Sequence, residues 1–362
     1  MPILYPGTID DQDVIVDRSL PNALSTRQHA VNDALPVNLI SDYGAVLNDT
    51  SAAVRAANKT AFINAMADSK SVNINMPGTL YLPADANIEI PPGTVLSGCS
   101  LWGGGTAIKG DGTIFRITTG EDGRTFKNFF ISNETPGSFG KLFFITLPAG
   151  VKGFEWNNIS FGQAINHIYV NASGNYCFAV DWLFTRCRFE FATSHSRYFE
   201  CGVSAVKDIA CACAVNYRHL TIVGSANGNL TYGFSSSQSV YEAASDTGLH
   251  FITAGGDIYS IDISQAHFEG NAAGDIHLQT NSANHIHSCR VSGGIMTAPH
   301  ASQPSRIVIS ESGGGQVKHI SISQTINDGF KQLAPNSSAV FVNDVVLNGN
   351  SAQSSWKTAQ YI

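Results

Sequence analysis

Two short stretches of this chain place a cation-capable side chain two residues ahead of a carboxylate: Arg188 and Glu190 in "RCRFEF", and His267 and Glu269 in "AHFEG". Residues two apart on an extended strand share a face, so each stretch would present a charge pair to one side. Cleaving a glycosidic bond needs two carboxyl groups about 5 to 9.5 Å apart, one to protonate the leaving oxygen and one to act as nucleophile or to activate water. A base beside a charge-neutralising cation would instead suit eliminative cleavage next to a uronate, with Arg188, His267 and Arg290 as the cations. Glu190, Glu269 and Asp262 are the candidate catalytic carboxylates, and Arg188, His267, Arg290 and Tyr259 the candidate sugar-binding residues. Tyr176, Tyr198 and Tyr241 join Tyr259 as aromatics able to stack on a sugar ring.

The elements that must position these residues are short strands. From Ile258 to Gln279, "IYSIDISQAHFEGNAAGDIHLQ" alternates apolar and polar residues, breaks step after Ile263 and resumes at Ala266. The same pattern recurs in "FKNFFI" (Phe126), "WNNISF" (Trp156), "FTRCRF" (Phe184), "YRHLTI" (Tyr217), "IHSCRV" (Ile286) and "VNDVVL" (Val342), with a weaker copy, "ISQTIN", at Ile322. A repeat of a few tens of residues, rich in strands and poor in helices, is a solenoid signature, because each unit buries its apolar face only by stacking on its neighbours. The long interval between Tyr217 and Ile263 implies a disguised turn near Val240. The expected fold is an all-β, right-handed parallel β-helix. A β-sandwich is the alternative, but it would not hold the offset of the corner constant.

In this register the outward column past the corner reads Phe130, Ser160, Arg188, Thr221, His267 and Arg290. The column two residues further along reads Ser132, Gly162, Glu190, Val223, Glu269 and Ser292. Glu190 and Glu269 then lie three turns apart, about 14 Å at about 4.8 Å per turn, too far to act as a pair within one chain. The partner carboxylate is left open among Asp262, Asp257 or Asp275 for Glu269, Asp181 or Glu200 for Glu190, and a carboxylate of a second chain. "HIHSC" has alternating His285, His287 and Cys289, but Cys289 has inward parity, so no metal is expected. "WGGGTAIKGDGT" lacks the Gly-Lys-Ser/Thr ending of a phosphate loop, and no cofactor is implied.

The bulk properties bound the function. A net charge of −7 and a charged fraction of 14% lack the basic footprint of a nucleic-acid binder. No apolar run is long enough to insert into a bilayer, and the N-terminus has no basic region leading into an apolar segment. Seven scattered cysteines read as buried thiols rather than a disulfide framework.

The first third differs from the rest. "TSAAVRAANKTAFINAMADSK" spaces Val54, Ala57, Ala61, Phe62, Ala65 and Met66 as an amphipathic helix near residues 50–68 after a Thr50/Ser51 cap, placed to close the end of the coil. The segment from Ile40 to Ile117 resembles the pectate-lyase-like β-helix family, in particular bacteriophage tailspikes and depolymerases. The matching stretches are "ISDYGAVLNDT", "NKTAFINAM", "MPGTLYLP", "GTVLSG" and "GDGTIFRI". Ahead of it, "YPGTIDDQDVIVDRSLPNALSTRQHAVNDAL", with His29 and Asn32, resembles a segment near the start of phage virion proteins, although "NLISDYG" stands where "ELG" commonly follows.

These resemblances imply that residues 1–38 attach to phage tail or capsid proteins and that the β-helix of 39–362 binds or cleaves a bacterial surface polysaccharide. They also imply a homotrimer located on the virion. Two other readings compete: a non-catalytic appendage of the particle, and a free bacterial polysaccharide lyase or glycosidase, against which the missing export signal counts.

Overall fold

The computed structural model describes residues 35–347 apart from 101–103, 120–122, 136, 148–150, 173, 175–176, 226–230, 282, 298–306 and 329–339. Residues 1–34 of the expected attachment segment, with His29 and Asn32, lie outside the described residues, as does Tyr176. None of the described helices is long and apolar enough to cross a membrane.

The chain winds into a parallel β-helix. One set of pairings links twenty strands across successive turns and a second links nine, and all are parallel. In the first set, Ile131, Phe161, Phe189, Cys213, Tyr241, Phe268 and Met296 occupy one position on successive turns, preceded by Ile108, and all are buried. Phe161 lies 4.6 Å from Phe189 with the rings 7° apart, and Tyr241 lies 5.2 Å from Phe268. One residue type stacked on its like removes both faces of a ring from water, and offset aromatic contacts add to the burial.

The corner that interrupts alternation is a single left-handed residue. Asn128, Asn158, Arg186, Ala210, Gln238 and Gln265 occupy it on successive turns, with φ between 52° and 62°. Asparagine tolerates this conformation best among non-glycine residues, and Gly293 takes the next place. A second corner repeats the device at Phe191, Val215, Ala243 and Gly270. Just beyond it, buried Asn216 and Asn271 tie turns together: Asn271 accepts from the Ala244 N–H at 3.0 Å and donates to the Tyr241 carbonyl at 3.0 Å. Each Asn thus satisfies backbone groups that the bend frees from the ladder.

The structure corrects two sequence assignments and bears out a third. "YRHLTI" is not a corner: Arg218–Ser225 belongs to the nine-stranded set, so Thr221 and Val223 leave the proposed columns. The turn at Val240 exists, with Val240–Glu242 pairing Ala212–Ala214 and His267–Glu269. In "IHSCRV", Cys289 and Val291 pair Ile261 and Ile263, so Arg290 stands beside Asp262 rather than in the His267 column.

Helix α1, Ala52–Asp68, sits against the first turns with Asn58, Ala61, Phe62, Ala65 and Met66 buried, and Phe62 meets Phe115 edge-on at 5.8 Å. Val54 is half-buried at the edge of this face, and Ala57 is exposed outside it. Ser51 makes no side-chain cap; Asp49 accepts from its N–H instead. All seven cysteines are free, and only Cys99 is exposed.

Inside the coil a polar network spans two successive turns. Arg197, from the nine-stranded set, reaches across to Asp208 at 2.5 and 2.8 Å, and both are fully buried. Tyr241 donates to the same carboxylate at 2.7 Å and meets Ser236 at 2.8 Å, while the guanidinium lies 4.4 Å from the Phe189 ring centroid. Removing one partner of a buried pair strands the other charge, at a cost of about 3–5 kcal/mol. Asp208→Ala should therefore lower the urea midpoint sharply, and adding Arg197→Met to Asp208→Leu should recover most of the loss. An unchanged midpoint in Asp208→Ala would contradict this role.

Burial also depresses four histidines, His167, His219 and His250 to about 3 and His195 to about 4. Their native state stays neutral where the unfolded chain, with values near 6.5, takes up protons. Stability is therefore held above pH 6.5 and falls as the pH drops below it, by up to about 1.4 kcal/mol per pH unit for each histidine. Denaturation midpoints measured between pH 7.5 and 5 should fall steadily; a flat or rising profile would contradict the assignment.

Candidate functional site

The two charged stretches lie on the strands between the two corners. Arg188–Glu190, Ala212–Ala214, Val240–Glu242 and His267–Glu269 pair in sequence, so their outward residues form two columns. One column reads Arg188, Ala212, Val240 and His267; the other reads Glu190, Ala214, Glu242 and Glu269. The stack of Phe189, Cys213, Tyr241 and Phe268 beneath them fixes this placement, because inward and outward side chains alternate.

Glu190 and Glu269 stand three turns apart, as their spacing implied. Glu242, which sequence reasoning missed, stands one turn from Glu269, about 4.8 Å along the coil axis. Its signal was present in the sequence: "RFE", "VYE" and "HFE" each place an inward aromatic before an outward glutamate. The turn was hidden because its neighbouring inward position is Ser236, not an apolar residue.

Two of the three glutamates are engaged on their own strands. Arg188 Nη2 lies 2.6 Å from Glu190 Oε1, and His267 Nε2 lies 3.5 Å from Glu269 Oε2. No described residue forms an ion pair with Glu242, and its strand neighbour on the same face is Val240.

Asp262 and Arg290 are adjacent across turns on the strand before the first corner, in a column that also holds Lys207 and Ser235. The left-handed residue Gln265 separates them from His267 and Glu269, so Asp262 and Glu269 sit on different faces of one turn. Asp262 Oδ1 is buried with no hydrogen-bond partner.

Tyr259 lies just before Asp262 on the same turn and is the centre of a stack. Tyr232 lies 5.5 Å away at 12°, and His287 4.5 Å away at 1°. Tyr232 and Tyr259 are exposed at 52% and 37%, but Tyr232 and His287 cover the two faces of Tyr259, so that Tyr259 offers a ligand its edge and not the stacking face its sequence position suggested. His287 donates from Nε2 to Asp257 at 2.9 Å, and the His285 N–H donates to the other oxygen at 2.7 Å. Burial works against the charged form of Asp257, but these two hydrogen bonds outweigh it and hold the carboxyl below its usual range.

The structure thus gathers Tyr259, Asp262, His267 and Glu269 on one turn and Arg290 on the next, with Arg188 and Glu190 three turns away. The other partners considered for Glu269 and Glu190 separate. Asp275 is buried and bonded to Asn271. Glu200 belongs to the nine-stranded set, where Tyr169 donates to it, and Asp181 sits at a left-handed bend. Tyr241 faces the core and cannot stack on a ligand. Cys289 is buried while His285 and His287 face outward, as parity required.

No protein-family model and no curated protein matches the sequence. Among solved structures, ORF18 of Geobacillus virus E2 is similar over 90% of this chain and 65% of its own, with 13% identity and a TM-score of 0.52. A double mutant of the tailspike protein of E. coli bacteriophage HK620 is similar over 87% of this chain and 67% of its own, at 11% identity and TM-score 0.49. The A-module of an Azotobacter vinelandii mannuronan C-5 epimerase is similar over 85% of this chain and 99% of its own, at 15% identity and TM-score 0.40. The chain thus spans about two thirds of the two viral proteins. At these identities the likeness concerns the fold alone, and the first of the three carries it: this chain is built as a parallel β-helix, as is ORF18.

Proposed function

We propose that this chain is a phage tail appendage whose β-helix binds a bacterial surface polysaccharide and hydrolyses it at Glu242 and Glu269. The observation that supports this reading is their adjacency in one outward column, on turns about 4.8 Å apart. Carboxyl groups about 5 to 5.5 Å apart match the geometry in which one acts as nucleophile and the other as acid and then base, with retained configuration at the anomeric carbon. Glu269, beside His267, suits the nucleophile; Glu242, beside Val240, suits the proton donor. Tyr232 and the edge of Tyr259, on the neighbouring face of the same turns, would line the flanking sugars, and Arg290 and Asp262 would hydrogen-bond their hydroxyls.

Attachment through residues 1–38 and assembly of three chains belong to the same proposal. Ile165, Phe191, Val215 and Tyr217 are exposed around the second corner at 41–52%, a cluster that suits contact with a sister chain. The glutamate column ends one residue before that corner, so such packing would set it in a groove between chains.

A second reading, a non-catalytic glycan-binding fibre, draws support from the ion pairs at Glu190 and Glu269. Exposed pairs of this kind are also the ordinary furniture of a solvated sheet.

Incubation with capsule or O-antigen from candidate hosts separates the two. Hydrolysis should release reducing ends with retained configuration, visible by NMR, and Glu242→Gln or Glu269→Gln should each lower the rate by about 100-fold or more, while Glu190→Gln keeps most of it. Degradation that persists in both variants would overturn the assignment, and binding without released ends would favour the fibre.

A further inference from the structure

The outer face of the nine-stranded set carries a different arrangement, independent of Glu242 and Glu269. Arg116, Phe144, Tyr169 and Tyr198 occupy one outward position on four successive turns. The rings lie 5.7 Å apart for Phe144 and Tyr169 and 5.3 Å apart for Tyr169 and Tyr198. They contribute little to the core, because the inward places beside them are filled by Phe143, Ile145, Ile168, Val170 and Phe199.

Two cations crowd one end of this aromatic strip. Lys141 Nζ lies 3.6 Å from the Tyr169 ring centroid and 4.5 Å from that of Phe144, and Arg116 Cζ lies 5.4 Å from Phe144. Neither is in an ion pair among the described residues, and Arg116 Nε is buried with no hydrogen-bond partner. Glu89, the neighbour of Arg116 in the column, instead accepts from the Thr118 N–H at 2.6 Å. Glu200 accepts from the Tyr169 hydroxyl at 2.5 Å. Burial lowers the Lys141 pKa, partly opposed by Glu200. Asn171, beside the strip, has its side-chain oxygen buried without a partner.

Two cations over a shared ring repel one another unless an anion joins them, and the planar guanidinium fork matches a carboxylate. The rings turn their faces toward one another along the coil axis, so that their positive edges meet the outside, where hydroxyl oxygens of sugars linked to the charged one can approach them. We infer that this face is a second saccharide site, selective for a glycan that carries carboxylates, with the acid group held between Arg116 and Lys141 and adjoining sugars running along the edges of Tyr169 and Tyr198.

Calorimetry with the full chain tests this using short oligogalacturonate, oligomannuronate and a sialylated oligosaccharide, with malto-oligosaccharide as the neutral control. At least one acidic oligomer should bind more tightly than the neutral one and weaken with added salt. Arg116→Ala with Lys141→Ala should cost about tenfold or more in affinity, Tyr198→Leu should weaken binding with the salt dependence kept, and Glu242→Gln with Glu269→Gln should leave it unchanged. Lys141→Met, which keeps the aliphatic stem over the rings, should also lose affinity, separating charge from packing. Equal binding of acidic and neutral oligomers, binding of none of them, or full affinity in the Arg116/Lys141 double variant would overturn the inference.

Discussion

Everything on the outside of this molecule is positioned by in-register stacking on the inside. A chain turn of the β-helix has no closed core of its own; its apolar side chains are shielded by the equivalent residues one turn above and below. The file from Ile131 through Phe161, Phe189, Cys213, Tyr241 and Phe268 to Met296 is the clearest case. Because strand side chains alternate in direction, fixing an inward file fixes the outward columns on both sides of it. A slip of one residue would exchange the two sets, bringing the glutamates inward and the aromatics into water. The burial that stabilises the coil therefore also sets which charged groups meet outside.

The corners make this transfer reliable. A single left-handed residue at the same place on turn after turn, at Asn128, Asn158, Arg186, Ala210, Gln238 and Gln265, lets the sheet change direction without changing register. Four of the six are carboxamides, and Asn158 donates to Asn128 and Gln238 to Gln265 across turns; at Arg186 and Ala210 the stack on either side, rather than local preference, holds the conformation. At Val215, a β-branched residue, the left-handed conformation runs against local preference altogether, and the buried Asn216 behind it supplies the compensating hydrogen bonds.

Much of this was legible in the sequence. The apolar break in "FKNFFI", "WNNISF", "FTRCRF" and "ISQAHF" marks true first corners, and the helix near residues 50–68 is α1. The two turns that the apolar pattern misses share a cause. Two successive turns carry Asp208 and Ser236 at inward positions, where a search for apolar residues finds nothing. Both belong to the network of Arg197 and Tyr241, which satisfies polar groups inside the coil. The slip at "IHSCRV" has a different origin, since a bend before the first corner, between Ile258 and Ile261, has the same apolar spacing as the corner itself. That slip moved Arg290 one column away from Asp262, and the hidden turn removed Glu242 from view. The polar core thus concealed Glu242, the register partner of Glu269 one turn away. Tyr198 stood among the stacking candidates, but its neighbours Phe144 and Tyr169 escaped notice for a simpler reason: outward aromatics read as core residues until the register of a second sheet is known.

Turns stack so that position 242 sits directly on position 269, with position 190 three turns distant. Oxidative cross-linking measures this directly in a Cys99→Ser background, which removes the exposed thiol. Glu242→Cys combined with Glu269→Cys should form an intramolecular disulfide, identified by peptide mapping, whereas Glu190→Cys combined with Glu269→Cys should not. Failure of the first pair to cross-link, or equal cross-linking of the second, would contradict the register on which the account is built.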